Sequence, residues 1–461
     1  MKKFIKKILS RNAINSLQKI RAVLISLKYG SPAKKMIPIG ITGTKGKTTT
    51  AFLISSILEE AGYKVGRIST VDYKVDSKTT VNEENMTVPD PSLVQPWLKK
   101  MVEAKCRYLV MEVTSHAIDQ YRVWGIPYKV ALLTNVTHDH LDYHKTFANY
   151  RDTKVRLFRW PSLKISIINA DDKSAEYFFK NLKTKKNYFY STNGDFEIKQ
   201  GSTVVASKIF LNPTASKFTI KTESEEIEIN LSLPGMFNVE NALAATCVGL
   251  SQNLRLGTIK AGLEKIMQVP GRMERVETKK GFTVIVDYAH TPDSLEKVYQ
   301  TLQPIVRGRL ISVLGACGDR DKTKRPIMGA LAARFADFVF VTDEESYTED
   351  PQEIIDEVAG GVPRGRALYK KKSSDKPKRK PLEHKIHDVK EFMKKDESTG
   401  EGQWWWRVSD RRDAIRQALK LAKFDDLVLI TGMGAQTHKV VGDKHLPWND
   451  RQVVEEELAK L

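Results

Sequence analysis

Residues 36–61 read MIPIGITGTKGKTTTAFLISSILEEA and decide the fold of the N-terminal half of the chain. The first six residues are apolar or small and predict a buried strand. A turn with two glycines, Gly43 and Gly46, then leads into a helix whose apolar residues are spaced three and four apart. This order predicts a phosphate loop, in which backbone N–H groups and the positive helix end hold an anion. Lys47 supplies a point charge for the phosphates, and Thr48 offers a hydroxyl to Mg²⁺.

The match to the usual loop pattern G-x-x-x-x-G-K-[ST] is incomplete, because Ile41 stands where the first glycine is expected. Thr44 lies between the two glycines and Thr49 follows Thr48, so both belong to the same cradle. Strand, glycine turn, Gly-Lys-Thr and helix still follow one another in the required order. We therefore predict a nucleotide site here rather than an ordinary strand-to-helix turn.

Length and cysteine usage limit the class of protein. A chain of 461 residues has room for two or three domains. Cys106, Cys247 and Cys317 show neither metal nor disulfide spacing, and no cleavable signal sequence is evident. No apolar run approaches the roughly 20 residues that span a bilayer. We expect a protein of the reducing cytoplasm without a transmembrane helix.

The net charge of +19 is concentrated in two segments. Residues 1–35 carry eight Lys and two Arg with no acid, and residues 364–395 carry thirteen Lys or Arg against four acids. The rest of the chain is neutral, so no basic groove through the core is indicated. The aromatic run 404–406 follows a Lys-rich segment, but it is more simply the start of a strand. We expect no nucleic-acid partner.

The basic arm at residues 1–36 has apolar residues at near-helical spacing among its lysines. Such an amphipathic helix can lie on anionic lipid. The alternative is a helix that docks its apolar face on the body of the protein. Both interpretations stay open from the sequence.

Polar residues follow two further buried strands. Glu112 ends the apolar run 107–113, and an acid at that position of a phosphate-loop protein usually reaches the Mg²⁺. The strand KVALLTNV leads into THDHLDYH at 137–144, which contains His140. Alone, this cluster could be a hydrolase metal site of the H-x-H-x-D type. Its place after a strand of the same sheet favours one imidazole at a second metal ion instead.

The pattern predicts an α/β protein. The arm precedes a central phosphate-loop domain at 37–268 with a mostly parallel sheet, and a Rossmann-like α/β domain occupies 269–461. Turn signals between 186 and 232 predict a small antiparallel insertion or sheet layer. A Lys-rich insertion at about 365–403 is expected to be a mobile loop.

Eight motifs in order, over residues 39 to 328, resemble the Mur ligase family: TGTKGKTTT, MEVTSH, TNVTHDHLDYH, YRDTKVRLF, GMFNVENALAA, VPGRMERVE, VDYAHTPDSLE and GDRDKTKRP. Within that family they are most similar to the UDP-N-acetylmuramoyl-tripeptide synthetases. The resemblance implies an ATP-dependent ligase of peptidoglycan synthesis, a monomer whose partners are a UDP-muramoyl-dipeptide and a free amino acid. The dipeptide carboxylate would be phosphorylated by ATP, and the amine of the amino acid would displace the phosphate.

The resemblance also implies roles for individual residues. Lys47 and Thr48 would hold the phosphates and a first Mg²⁺, Glu112 would ligate that ion, and His140 a second one. Lys154 matches a carbamoylated lysine, whose anionic carbamate can bind a cation that an ammonium would repel. The remaining matches are to the nucleotide side (Asn238, Asn241, Arg272, Asp287, His290), the muramoyl peptide (Thr87, Thr114, Gln120, Arg122) and the carboxylate of the amino acid (Arg320).

Three departures from the family pattern concern the substrates. The family's uridine-binding domain precedes the phosphate loop, where this chain has the basic arm. The D-N-P-R signature of diaminopimelate users aligns with Glu344, Glu345, Ser346 and Tyr347, so its arginine is missing. Gln436 replaces an acid that meets the distal amine. Two acids without the arginine suit a cationic side chain such as that of lysine.

Two other classes remain as alternatives. A folylpolyglutamate-synthetase-like ligase also lacks the uridine domain, but the MEVTSH and DHLDYH motifs argue against it. A ligase-derived, non-catalytic protein anchored at the membrane is opposed by the intact Lys47, Glu112, His140 and Lys154.

Overall fold

The computed structural model describes residues 11–84, 86–194, 201–212, 214–363 and 404–461. The Lys-rich insertion predicted at 365–403 lies outside the described residues, as do the first ten residues of the arm and the side chains of residues 11–14 and of Asp142. The chain divides into two compact units, Met1–Val269 and Pro270–Leu461. In the described residues, no helix is both long and apolar enough to cross a membrane.

The first unit is built on an eleven-stranded sheet. Its strands are β1 Ile37–Thr42, β2 Val65–Ile68, β3 Asp72–Val75, β4 Lys78–Val81, β5 Tyr108–Glu112, β6 Val130–Leu133, β7 Ile165–Asn169, β8 Lys186–Ser191, β9 Ser202–Leu211, β10 Ser216–Lys221 and β11 Glu226–Leu231. Its helices are α1 Arg11–Lys28, α2 Lys47–Glu60, α3 Pro91–Glu103, α4 Ser115–Asp119, α5 Leu141–His144, α6 Phe147–Phe158, α7 Ala175–Lys180, α8 Met236–Ser251 and α9 Leu256–Glu264.

The strand order in this sheet is β11-β10-β9-β8-β7-β6-β1-β5-β2-β3-β4. Strands β9 to β2 in this order are parallel, and antiparallel pairings extend both edges. The antiparallel pairing predicted within 186–232 is confirmed for β9, β10 and β11, but these strands continue the main sheet, because β9 pairs in parallel with β8. Strand β1, which carries the phosphate loop, lies near the middle.

Side chains of the central strands alternate between two hydrophobic cores, one on each face of the sheet. Ile39 and Ile41 of β1 join the core under α2, α8 and α9. Leu109 and Met111 of β5 join the opposite core. Because both faces are covered, these strands are almost continuously apolar, as expected for buried parallel strands.

The second unit has a six-stranded sheet in the order β12-β13-β17-β14-β15-β16, in which only the pairing of β12 with β13 is antiparallel. Its strands are β12 Glu274–Val276, β13 Thr283–Asp287, β14 Leu310–Leu314, β15 Phe338–Thr342, β16 Trp405–Val408 and β17 Leu427–Thr431, with a hairpin of β18 His438–Val441 and β19 Lys444–Pro447. Its helices are α10 Pro292–Leu302, α11 Lys324–Phe335, α12 Pro351–Ala359, α13 Arg411–Leu421 and α14 Asp450–Leu458. The predicted α/β class, with a mostly parallel central sheet and a Rossmann-like second unit, is confirmed.

Candidate active site

The phosphate loop runs from Gly43 to Gly46 between β1 and α2, and the neighbouring strand holds it in place. The backbone N–H of Thr44 donates to the carbonyl of Asn135 at 2.8 Å, and that of Lys45 donates to the Asn135 side chain at 2.9 Å. The Thr134 hydroxyl donates to the Lys45 carbonyl at 2.6 Å. Both partners follow β6, so the strand beside β1 fixes the shape of the loop.

Both loop glycines are required by close approaches and by their backbone conformation. Gly43 has φ +151°, and a Cβ there would lie 1.9 Å from the Thr134 hydroxyl. Gly46 has φ +85°, and its Cβ would lie 2.4 Å from Asn241 Oδ1. Larger residues at either position would displace the loop.

Two lysines meet at the loop. Lys47 Nζ donates to the carbonyls of Gly43 and Thr44 at 3.0 and 2.9 Å. Lys154, which α6 presents, is 1% exposed and donates to the same Gly43 carbonyl at 2.8 Å. Burial, and secondly the charge of Lys47, lower the pKa of Lys154 well below its usual value. The structure thus places two lysine nitrogens on one acceptor, one of them fully buried.

Glu112 ends β5 directly beside the start of the loop, since it pairs in register with Ile41. It is fully buried, and its two oxygens accept from the backbone N–H and the hydroxyl of Thr70 at 2.8 and 3.1 Å. The Thr70 hydroxyl also lies 2.9 Å from that of Thr87, a predicted peptide contact. A short chain of hydrogen bonds therefore links a predicted metal ligand to a predicted substrate residue.

Thr48 and Glu112 are a hydroxyl and a carboxylate at the same end of the sheet. These are the oxygen donors that Mg²⁺ prefers, so both residues fit a metal ion near the phosphates. Lys154 as an ammonium does not fit, because it would repel the ion. Within the described part of the chain, no group of three or more His, Cys, Asp or Glu side chains comes together as a metal site.

His140 lies at the start of α5 with φ +54°, a left-handed conformation. Its ring is perpendicular to that of His116, with centroids 4.7 Å apart, and His116 in turn contacts Tyr143 and His144. Partial removal from water lowers the pKa of the His140 imidazole, and the Asp139 carboxylate opposes the shift. The neutral imidazole that results is the form that ligates metals.

The other predicted residues of this unit surround the same edge of the sheet. Asn241 accepts from the Thr50 hydroxyl at 3.2 Å, and its Nδ2 donates to Asn238 Oδ1 at 3.2 Å. Thr114 caps α4 by accepting from a backbone N–H. Gln120 donates to the Tyr143 hydroxyl at 3.3 Å, and Arg122 donates to a backbone carbonyl at residue 88.

In the second unit, a turn next to β13 gathers three predicted nucleotide-side residues. Asp287 accepts from two backbone N–H groups, those of residues 273 and 289, each at 2.7 Å. His290 Nδ1 donates to the Tyr288 carbonyl at 2.7 Å, and the Arg272 guanidinium lies 4.4 Å from the Tyr288 ring centroid. The carboxylate thus fixes the backbone of the turn that presents the imidazole.

The remaining predicted residues form an acidic pocket in the second unit. Glu344 is 1% exposed; its Oε1 accepts from the Cys317 thiol at 3.0 Å, and its Oε2 has no hydrogen-bond partner within the described chain. Glu345 accepts from Gln436 at 3.3 Å and from the Tyr347 hydroxyl at 3.4 Å. Burial raises the pKa of both carboxyls. A buried carboxylate oxygen without a partner favours a cationic ligand.

Arg320 lies at the rim of this pocket. It is exposed, and its guanidinium lies 5.1 Å from the Tyr347 ring centroid. One terminal nitrogen of its guanidinium donates to the Asp319 carbonyl at 3.2 Å. A guanidinium is suited to bind a planar carboxylate in two-point fashion.

Some contributors to the site were not predicted from the sequence. Thr134 and Asn135 shape the loop, and Thr70 orients Glu112; each lies one or two residues after a buried strand, on the same edge of the sheet. Their position after a strand is the signal that could have identified them.

Comparison with known proteins now adds to this geometry. The model of the Mur ligase middle domain matches residues 41–249, and that of the Mur ligase glutamate ligase domain matches residues 271–434. A UDP-N-acetylmuramoyl-L-alanyl-D-glutamate–2,6-diaminopimelate ligase of Clostridium tetani is 36% identical over 97% of this chain and 83% of its own length. A UDP-N-acetylmuramyl-tripeptide synthetase of Roseiflexus is 34% identical over 95% of this chain and 82% of its own length.

Solved structures of ligases share the fold of this chain. One of a UDP-N-acetylmuramoyl-L-alanyl-D-glutamate–2,6-diaminopimelate ligase has a TM-score of 0.59 at 26% identity, covering 92% of this chain and 78% of its own. A folylpolyglutamate synthase of Mycobacterium tuberculosis has a TM-score of 0.67 at 18% identity, covering 90% and 92%, and shows likeness of fold alone. The fold and the loop are those of an ATP-dependent peptide ligase. The chain belongs to the Mur ligase family, which confirms the family predicted from the motifs.

Proposed function

We propose that this ligase joins a free amino acid to the terminal carboxylate of a UDP-N-acetylmuramoyl-dipeptide. A carboxylate oxygen attacks the γ-phosphorus of ATP and ADP leaves, giving an acyl phosphate. The amine then attacks the acyl carbon, phosphate departs, and the amine loses a proton as the amide forms. The observation that carries the proposal is that Lys47 and Lys154 both donate to the Gly43 carbonyl, next to the strand end that holds Glu112. The names of the relatives support the choice of substrate.

Mg²⁺ is part of this proposal, with Thr48 and Glu112 as its ligands near the phosphates. His140 would hold a second ion. The metal supplies charge neutralisation between the two anionic reactants. The chain itself positions the partners: Lys47 holds phosphate oxygens, and Thr70 keeps the Glu112 carboxylate oriented by two hydrogen bonds.

Lys154 is proposed to act as a carbamate rather than as an ammonium. Its burial and the neighbouring Lys47 charge both disfavour the protonated amine. The neutral amine can attack CO₂ and lose a proton, which gives an anion at the same place. That anion would pair with Lys47 and offer oxygen to a metal ion.

The nucleotide side of the second unit is proposed to consist of Arg272, Asp287 and His290. Asp287 would act indirectly, because both of its oxygens hold the turn that carries His290. Thr87, Thr114, Gln120 and Arg122 of the first unit are the proposed contacts of the muramoyl peptide.

The amino acid is proposed to carry a cationic side chain without a second carboxylate, as lysine does. Glu344 and Glu345 supply buried negative charge. Position 347 holds a tyrosine in place of the arginine that would pair with a distal carboxylate. Gln436 would accept from the distal ammonium through its amide oxygen. Arg320 would hold the α-carboxylate.

The reaction is tested by ADP release from purified protein given UDP-N-acetylmuramoyl-dipeptide, ATP and Mg²⁺ with a panel of amino acids. The panel contains lysine, ornithine and meso-diaminopimelate. We expect turnover that requires both acceptor and amino acid, with lysine preferred. ATP binding without turnover on any member of the panel would refute the proposed substrates.

The specificity proposal has its own variant, Tyr347→Arg, which restores the arginine of the diaminopimelate signature. We expect the ratio of kcat/KM for meso-diaminopimelate to that for lysine to rise by about tenfold or more, since a bidentate pair is gained. Tyr347→Phe is the matched control and should leave the ratio unchanged. An unchanged ratio in the arginine variant would show that the amino acid is selected elsewhere. We also propose that the protein is a monomer. Sedimentation velocity of the same samples tests this oligomeric state.

A further inference from the structure

Among the described side chains of helix α1, Arg11–Lys28, the two that are buried are small. Ala22 and Ser26 are buried, and Ser26 lies against Gly125, where an added Cβ would come within 3.1 Å of the serine Cβ. Lys19 lies 4.3 Å from the Trp124 ring centroid. Arg21 donates to both oxygens of Asp90, which caps α3, at 2.5 and 2.8 Å. These contacts fix how the helix is rotated about its axis.

The opposite face of α1 carries four large aliphatic side chains in the solvent. Leu17, Ile20, Leu24 and Leu27 are 55%, 57%, 60% and 57% exposed. Their spacing of three, four and three residues places them in one stripe, and 100° per residue sets the middle of that stripe about 160° from the middle of Ala22 and Ser26. An ordinary surface helix has the reverse arrangement, with its apolar stripe against the core.

Within the described part of the arm, the helix is docked, but its buried residues are Ala22 and Ser26 and its most exposed aliphatic residues lie on the other side. Leu17, Ile20, Leu24 and Leu27 therefore do not form the docking face of the helix. A contiguous apolar stripe held outward by a polar anchor such as the Arg21–Asp90 pair is typical of an interaction surface.

The charge around the stripe identifies its partner. Residues 1–35 contain ten Lys or Arg and no acid, and Lys28, Lys34 and Lys35 are exposed. A second copy of the chain on this stripe would bring two such sets of cations together. An anionic surface would neutralise them, and each lysine near a negatively charged bilayer strengthens binding.

We propose that α1 lays its outward stripe on an anionic phospholipid bilayer and so holds this ligase at the membrane surface. The apolar stripe enters the boundary between head groups and acyl chains, while the flanking lysines stay at the phosphates. The inference is independent of which amino acid the enzyme uses, and it adds a location to the proposed reaction.

The test is flotation of the full-length protein with vesicles of phosphatidylcholine, alone or mixed with phosphatidylglycerol. We expect binding to the mixed vesicles that weakens as salt is raised. The double variant Ile20→Gln/Leu24→Gln should bind at least about tenfold more weakly, because two half-exposed aliphatic side chains lose their burial in lipid. The net charge is unchanged in this variant, so the loss reports the stripe alone.

The matched control is Ile327→Gln/Phe424→Gln in the second unit, where both side chains are also exposed, at 51% and 76%. It should float like the unmodified protein. Ligase turnover of both double variants should equal that of the parent, which shows that the fold is intact. Absence of binding to anionic vesicles, or binding that survives the change at Ile20 and Leu24, would overturn the proposal. A lipid-free dimer that this variant converts to a monomer would instead assign the stripe to a protein interface.

Discussion

Replacement of Lys154 by methionine should stabilise the protein while abolishing its activity. Lys154 is fully buried, and its Nζ shares the Gly43 carbonyl with that of Lys47 at 2.8 and 3.0 Å, so protonation of Lys154 would put two positive charges side by side. Two nitrogens on one acceptor at these distances are at most about 6 Å apart. At an effective dielectric constant of about 20, their repulsion is about 3 kcal/mol. Methionine fills a similar volume without the charge, and Lys47 continues to satisfy the carbonyl.

The pH dependence of this gain follows from the lowered pKa of Lys154. Below the usual pKa of 10.5 the unfolded chain binds a proton that the folded state holds poorly, so this lysine costs stability. The cost shrinks as the pH rises toward 10.5 and is absent above it. Lys154→Met should therefore be most stabilising in acid and lose its advantage in alkali.

The assay is urea unfolding in bicarbonate-free buffer at several pH values, with Lys45→Met as the matched control. Lys45 is partly exposed and pairs with Asp139 at 3.4 Å, so its loss should change stability by about 0.5 kcal/mol or less. Added bicarbonate should stabilise the parent but not Lys154→Met, and ¹³C NMR should show a carbamate carbon in the parent alone. If Lys154→Met were less stable than the parent at neutral pH, the reasoning from buried like charges would be refuted.

Three further outcomes are expected. Arg411→Met should lower the free energy of unfolding in urea by about 3–5 kcal/mol, because it leaves the charge of the fully buried Asp450 unpaired. The double variant Arg411→Met/Asp450→Leu should recover most of this stability. An equal loss in the single and double variants would contradict the prediction. Thr70→Val should lower kcat about tenfold or more and raise the Mg²⁺ requirement, since Glu112 loses the Thr70 hydroxyl donor; unchanged metal dependence would contradict this. Gly43→Ala should abolish binding of a fluorescent ATP analogue, because its Cβ would lie 1.9 Å from a threonine hydroxyl; retained binding would show that the loop can relax.

The parts of the candidate site that could be predicted are those formed by residues close together in the sequence. Strand, glycine turn and helix predicted the phosphate loop, and the acid at the end of an apolar run identified Glu112. These features are local, since the chain direction alone brings them to one edge of a parallel sheet. The α/β class was predictable for the same reason, because βα units have local periodicity.

Features that depend on distant partners were not predictable. Arg411 and Asp450 form a fully buried ion pair across 39 positions, and no local pattern marks it. The outward orientation of Leu17 and Leu24 depends on Gly125 accepting the small side of the helix. The turns at 186–232 correctly predicted antiparallel strands, but the parallel pairing of β9 with β8, which joins them to the main sheet, has no local signal.

The bracing of the phosphate loop by Thr134 and Asn135 has a consequence for the kinetics of nucleotide capture. A loop already held by four hydrogen bonds from the next strand has little conformational entropy left to lose when a nucleotide arrives. Association should then be governed by diffusion and by the charge of Lys47, without a slow folding step of the loop itself. Substitutions that change the affinity of such a site for its nucleotide should then act mainly on the dissociation rate of the nucleotide.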